Sequence, residues 1–436
     1  MSIFRFALAA ALTCAVFTLS PAQDLSDTER KIVEWIDAHN DENVALLEEV
    51  VNVNSGTENH EGVREVGRMY AEAFAAIGMD TTWEDLSAVN RSGSLYAEQK
   101  GSRGKRLLLI GHLDTVFPED SPFQKWEMLN DSIAAGPGTE DMKGGNNVIL
   151  YALKALHAVG ALADARIVVA LTGDEEFTGR PFEISRGRFI EEARNSDAAL
   201  GFEGGVGNMN SATVARRGFT GWELTVHGKQ GHSSLIFNEE YGSGAIYETA
   251  RILHQWYDEL VGEENLTFGA GIIVGGTTIE YDPETSKGDA FGKRNVIPQI
   301  VRVAGDLRTL SLEQTDSVMR RMQEIASANL PQTSAELVFD ESFPAMAPTE
   351  GNWALLHKLD EVSRDLGYGA IEAVDPAKRG AADISFATPY TDGLDGLGPL
   401  GSGGHSPEER LDIRSIPVAT KRAAILIYRL INEDPG

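Results

Sequence analysis

Residues 106–114 read RLLLIGHLD, a short unbroken apolar run closed by a glycine, followed by a histidine and an aspartate two positions apart. Such a run is the pattern of a strand buried on both faces, as in a parallel sheet. Two further stretches repeat it. RIVVALT at 166–172 leads into Gly173-Asp174-Glu175-Glu176, and DAALGF at 197–202 leads into Glu203-Gly204-Gly205. Between the first two strands, Met142 to Val159 carries apolar residues at helical spacing and stops at Gly160. Alternating strand and helix predicts an α/β fold with a mostly parallel, doubly wound sheet. Ligand sites of such sheets collect beyond the carboxyl ends of the strands, which is where these polar residues fall.

Further along, the texture changes. From about Gly218, Trp222 to Val226 alternates like a half-exposed strand, and Tyr241 to Leu260 is helical. Leu266 to Ile279, Val296 to Leu307 and a helical Leu312 to Ala328 complete a second layer before Pro331, after which buried-strand and helix patterns return as far as Ser415 to Leu430. The expected organisation is one α/β domain in two parts, 23–215 and 330–436, interrupted by an inserted α+β domain at 216–329. Residues 1–22 read as a signal peptide: Arg5, an apolar stretch from Phe6 to Leu19, then Ser20-Pro21-Ala22. The apolar stretch is too short to span a bilayer comfortably. Export to the periplasm or the medium is therefore expected, with no membrane association after cleavage.

Composition excludes several classes of function. The 436 residues include 66 acidic against 38 basic side chains, a formal charge of −28, which repels nucleic acid and anionic lipid. A hydrophobic fraction of 42% excludes disorder and fibrous repeats. The single cysteine, Cys14, lies within the signal segment, so a metal in the mature chain must be held by His, Asp and Glu.

Five such residues stand at strand ends or in glycine-rich loops: His112, Asp141, Glu176, Glu203 and His405. In an extended His112-Leu113-Asp114 both polar side chains share a face, so Asp114 can accept the second imidazole N–H and fix the tautomer. Asp141 sits where the turn Gly136-Pro137-Gly138-Thr139-Glu140 enters a helix, and that turn lacks both phosphate-loop patterns. Three adjacent acids, Asp174 to Glu176, oppose folding unless cations are near; Glu176 can then ligate while Glu175 serves as general base. Each has a plainer reading when taken singly. His112 and Asp114 suit a hydrogen-bonded turn, Asp141 a helix cap, the acid run a solvated turn, and Glu203 and His405 the surface. Together, N/O donors of this kind suit zinc or a similar divalent ion.

In order and spacing, HLDTV, GPGTEDMKGG, the Glu-Glu pair, the Glu after the next strand and GGHSPEE resemble the two-zinc exopeptidases and deacylases that include glutamate carboxypeptidase, acetylornithine deacetylase, succinyl-diaminopimelate desuccinylase and aminoacylase. The resemblance covers nearly the whole mature chain. It implies that His112 and Glu203 bind one zinc and Glu176 and His405 another, with cobalt or manganese also able to serve, and that Asp141 bridges them. It makes Asp114 the residue that orients His112, and Glu175 the base acting on a metal-bridging water. Gly228-Lys229-Gln230-Gly231-His232 resembles the signature of the family's inserted lid and dimerisation domain, so His232 would stabilise the oxyanion, often across a homodimer interface. Asn295 and Arg308 match substrate-contacting positions of the carboxypeptidase branch, and Arg308 suits a carboxylate. Arg216-Arg217 falls at the domain junction, as a source of positive potential or a solvated hinge. Around Ser342-Phe343-Pro344 the arginine carried by some glutamate-releasing relatives is absent.

A Glu at 203 resembles the carboxypeptidase and deacylase branches, whereas Asp is usual in the aminopeptidase and dipeptidase branches. The expected function is an exported metallocarboxypeptidase or N-acyl-amino-acid amidohydrolase acting on peptides or N-acyl amino acids. An aminopeptidase of the same family is the enzymatic alternative. A catalytically silent peptide-binding protein is the alternative from a different class.

Overall fold

The structure is a computed structural model that describes residues 25–283 and 285–434. The expected signal peptide, Cys14 included, lies outside the described residues. Among them no helix is long and apolar enough to cross a membrane.

The stretch around Leu108 forms the strand Arg103–His112 at the centre of a six-stranded sheet. It pairs in parallel with Ala165–Thr172 on one side and Ala198–Gly201 on the other, and the latter pairs in parallel with the short Gly393–Leu394. An antiparallel hairpin, Asp80–Asp85 with Gly93–Gln99, closes the opposite edge. Successive strand residues point to opposite faces. Leu107 and Leu109 pack with Ile167, Val169 and Leu171 into one core, beneath helices Lys143–Ala158 and Ser415–Leu430. Leu108 and Ile110 pack with Val168, Ala170 and Phe189 into another. Both faces are thus covered, and hence the runs are apolar at every position.

The second layer is a four-stranded antiparallel sheet in the order Thr267–Gly276, Ile300–Arg308, Thr220–Gly228, Thr333–Phe339. Helices Gly244–Leu260 and Leu312–Ser327 cover it, around Trp222 and Trp256 packed edge to face at 5.1 Å. The expected boundary at residue 329 is corrected by this sheet. Thr333–Phe339 pairs along Thr220–Gly228, so the inserted layer continues to Phe339. The chain enters and leaves through two antiparallel segments, where Phe219 N donates to Phe343 O (3.0 Å) and Met346 N donates to Arg216 O (3.0 Å).

Candidate functional site

Five strand ends and loops converge where the central sheet stops. His112 is the last residue of its strand and is buried. Asp141 lies just before the helix Lys143–Ala158, whose cap residue is Met142 with no side-chain cap bond, so Asp141 is not a helix cap. The helix reaches the strand ends because Gly145 has no side chain: a Cβ there would come within 2.0 Å of the Phe202 carbonyl oxygen. Asp141 divides its two oxygens between two histidines. Oδ1 lies 3.0 Å from His112 Nε2 and Oδ2 lies 3.1 Å from His405 Nε2. Glu203 Oε1 is 3.9 Å from His112 Nε2, and Glu176 Oε2 is 3.0 Å from His405 Nε2. Donor atoms of His112, Asp141 and Glu176 lie within 4.8 Å of one another. All five expected residues are therefore brought together, split into the two pairs with Asp141 between them. His405, with 61% of its side chain exposed, closes the cluster from a loop with a backbone φ of +61°.

Asp114 does more than the sequence suggested. His112 Nδ1 lies 3.1 Å from its backbone oxygen and 3.3 Å from its Oδ1. Its carboxylate also accepts from Thr57 Oγ1 (2.6 Å) and from the backbone N–H groups of Glu175 and Glu176 (3.1 Å each). One buried carboxylate thus positions the imidazole and the Glu-Glu turn together. Asp174, the first acid of the run, points away. It pairs with buried Arg186 (2.6 Å), which also holds Asp383 (2.9 Å), and it accepts from Gly179 N.

Electrostatics follow from this crowding. Burial, reinforced by the Glu203, Asp383 and Glu176 charges and opposed by His112, keeps the Glu175 carboxyl well above the usual range. Burial pushes Glu176 up to about 7. Burial also opposes ionisation of Asp141, but the hydrogen bonds from His112 and His405 prevail and hold it low. Asp141 and Glu176 in turn raise His405 to about 11.

Sequence reasoning overlooked Glu409, although it ends the quoted GGHSPEE motif. Its carboxylate accepts from Gly138 N (3.0 Å), Glu140 N (2.8 Å) and Asp141 N (3.1 Å), clamping the turn that presents Asp141. Asn146, which donates to the His112 carbonyl (2.6 Å), was also missed. Three expected residues are not tied to the cluster. His232 is exposed and bonded to Ser234 Oγ (2.8 Å), and the Asn295 carbonyl accepts from Ser233 N (2.9 Å), so these two lie together on the inserted layer. Arg308 ends the strand Ile300–Arg308, paired with Asp306 (2.9 Å) and stacked over Phe219. Arg216 is no solvated hinge: it is buried and paired with Asp395 (2.5 Å).

A shared carboxylate flanked by two histidine–glutamate pairs at the mouth of a parallel sheet is an arrangement suited to a metallohydrolase. The sequence profile of Peptidase family M20/M25/M40 matches residues 108–429, and the chain belongs to that family. It is 28% identical over 442 residues to carboxypeptidase G2 of Pseudomonas sp. (strain RS-16), covering 98% of each chain. Among solved structures it resembles aminopeptidase PepT from Bacillus cereus, with a TM-score of 0.70 at 16% identity over 90% of this chain and 98% of that one. It also resembles a dinuclear metal-binding peptidase of the M20 family from Bacillus subtilis, with a TM-score of 0.62 at 15% identity over 91% and 99%. These structural likenesses are likenesses of fold.

Proposed function

We propose that this metallohydrolase cleaves the amide bond joining a peptide or acyl group to an amino acid with a free carboxylate, as a metallocarboxypeptidase or N-acyl-amino-acid amidohydrolase. The observation that carries the reading is the identity of the acid beside His112: Glu203, the residue type of the carboxypeptidase and deacylase branches, completes the cluster. End-to-end similarity to carboxypeptidase G2 supports the same choice.

In this reading His112 and Glu203 hold one divalent cation, Glu176 and His405 hold the second, and Asp141 serves both. The donor set fits, because two imidazoles and three carboxylates without thiolate suit zinc, and cobalt or manganese as well. So many acids crowded into one pocket also call for positive charge. When bound, such a pair of cations polarises the scissile carbonyl and acidifies the attacking water. Asp114 keeps the His112 ring in place. Glu175 takes the proton from the water and returns it to the leaving amine, a task suited to a carboxyl held above its usual range. His232, brought by a second copy of the chain in a homodimer formed through the inserted layer, shares the developing oxyanion charge, with Asn295 and Arg308 contacting substrate. Export after removal of residues 1–22 belongs to the same reading and rests on sequence.

The test is hydrolysis by purified mature protein of known metal content. N-acyl amino acids and dipeptides with free carboxylates are compared with C-blocked substrates bearing free amines. Cleavage confined to substrates with a free carboxylate is expected. Cleavage confined to those with a free amine would replace the reading with the aminopeptidase alternative.

A further inference from the structure

Beside the junction with the inserted layer, Phe343 is locked edge-on between Phe182 (5.7 Å) and Phe386 (4.5 Å) in an apolar cluster. A cation is present nearby on a different loop. Arg379 lies in the segment that follows the 3-10 turn Pro376–Lys378, and its Nη1 reaches to 3.5 Å from the Gly204 carbonyl, next to Glu203. Its Nε and Nη2 are buried and find no hydrogen-bond acceptor among the described residues. Behind it stands Arg216, 3% exposed, which binds Asp395 and donates to the Gly380 carbonyl (2.9 Å), while its own Nη2 is likewise without an acceptor. In front stands Arg308, whose Nη1 lies 3.9 Å from where a Cβ on Gly380 would be. Arg217 pins the same loop through the Ala377 carbonyl (3.2 Å).

Two guanidinium groups, those of Arg379 and Arg216, therefore lie beside Glu203, with Arg308 next to Gly380 on the same loop, in a chain whose net charge is −28. The nearby acids do not pair them off: Glu140, packed against Gly204, attracts Arg379 without a hydrogen bond to it. Asp395 is committed to Arg216, Glu203 turns to His112, and Asp306 takes the Nε of Arg308. Withdrawing guanidinium N–H groups from water without an acceptor is expensive, and crowding them adds repulsion. An anion lying between them removes both costs, and a planar carboxylate matches the guanidinium fork bidentately.

We propose that Arg379, with Arg216 beside it and Arg308 next to Gly380, is the specificity-determining residue that binds the substrate's free α-carboxylate from the 376–380 loop. The inference rests on the carboxypeptidase reading above and deepens it. The substrate class it names is an N-acylated amino acid or peptide with a free C-terminal carboxylate, held by charge rather than by the nature of its side chain.

The experiment compares wild type, R379Q and R379K on a panel of N-acetyl amino acids, with neutral and acidic side chains, and on the matching carboxamides. Metal content and thermal unfolding are followed in parallel. R379Q is expected to raise KM for the free carboxylates by about 10–100-fold, the range for losing a charged hydrogen-bond partner. It should leave kcat within about threefold, leave carboxamides unaffected and retain the bound metal, while R379K recovers part of the loss. If R379Q fails to fold, the partial selectivity of R379K carries the test. A wild-type enzyme indifferent to carboxylate against carboxamide overturns the carboxypeptidase reading and this inference with it. A wild-type enzyme that discriminates, with R379Q discriminating equally, overturns this inference alone. So does a loss confined to substrates with acidic side chains.

Discussion

Asp174, Glu175 and Glu176 are consecutive acids in three different environments. Asp174 is neutralised by Arg186 inside the fold, Glu176 faces His405, and Glu175 is crowded by Glu203 and Asp383. For Glu175→Gln we expect metal content to be unchanged and kcat to fall by about 10²–10⁴, the usual contribution of a general base; normal turnover by the variant would remove Glu175 from that role. The same crowding sets a pH dependence. Burial raises Glu176 and Glu409 to about 7 and Glu140 to about 8 from an ordinary value of 4.5, so the folded chain holds these protons more tightly than the unfolded chain. Stability present below the ordinary value is therefore lost as pH rises through the folded values. His405, raised to about 11 by its two acidic partners, acts with the same sign above its ordinary 6.5. Metal-stripped protein should accordingly unfold at progressively lower temperature between about pH 5 and pH 8, and added zinc should reverse the trend, because ligation requires the deprotonated acids. Thermal scans with chelator and with zinc check both halves. At this scale the convergence of His112, Asp141, Glu176, Glu203 and His405 was legible because each follows a buried apolar run or sits in a glycine loop. The settings of Arg379 and Asp174 were not, because the burial of a single charge inside the fold leaves no local pattern in the sequence.

The turn 136–141 shows how an element rather than a residue carries the site. The turn's backbone is held from outside: three of its N–H groups, with Thr139 Oγ1 at 3.4 Å, are gathered by Glu409, which lies some 270 positions away in sequence. Replacing Glu409 with Gln exchanges one acceptor oxygen for an N–H that faces backbone donors. The expected result is a folded protein whose metal affinity is about 10–100-fold weaker, the usual cost of disturbing an outer-shell partner. Competition titration against a chelator measures it, and unchanged affinity would make the clamp irrelevant to the site. The central strands were legible for a related reason: burial on both faces demands continuous apolar residues, and RLLLIG and RIVVALT supply them. The edge strand Asp80–Asp85 was not found, since DTTWED is largely solvent-facing and carries no apolar run.

At the scale of the molecule, the inserted layer has its own core around Trp222 and Trp256, separate from the two cores of the central sheet. It is joined through a pair of antiparallel segments in which Asp340 N donates to Gly221 O (2.9 Å). The sequence placed the end of this layer at 329 because Pro331 looked like an interruption. Strand pairing is non-local, and only the register of Thr333–Phe339 against Thr220–Gly228 shows that the chain makes one more pass. The close approach of the two segments gives a direct prediction. Excising residues 222–339 and joining Gly221 to Asp340 through an Asn-Gly turn should leave a folded α/β sheet, since the ends already sit at hairpin distance and the excised core is self-contained. That protein should still bind metal, because His112, Asp141, Glu176, Glu203 and His405 all remain. It should hydrolyse N-acyl amino acids at least about 100-fold less efficiently, having lost His232, Asn295 and Arg308 together, if one oxyanion donor alone is worth that much. Metal content, unfolding temperature and kcat/KM of the excised chain decide the matter. Metal bound with turnover intact would show that the inserted layer takes no part in the chemistry, whereas failure to fold would mean that the central sheet depends on it for stability.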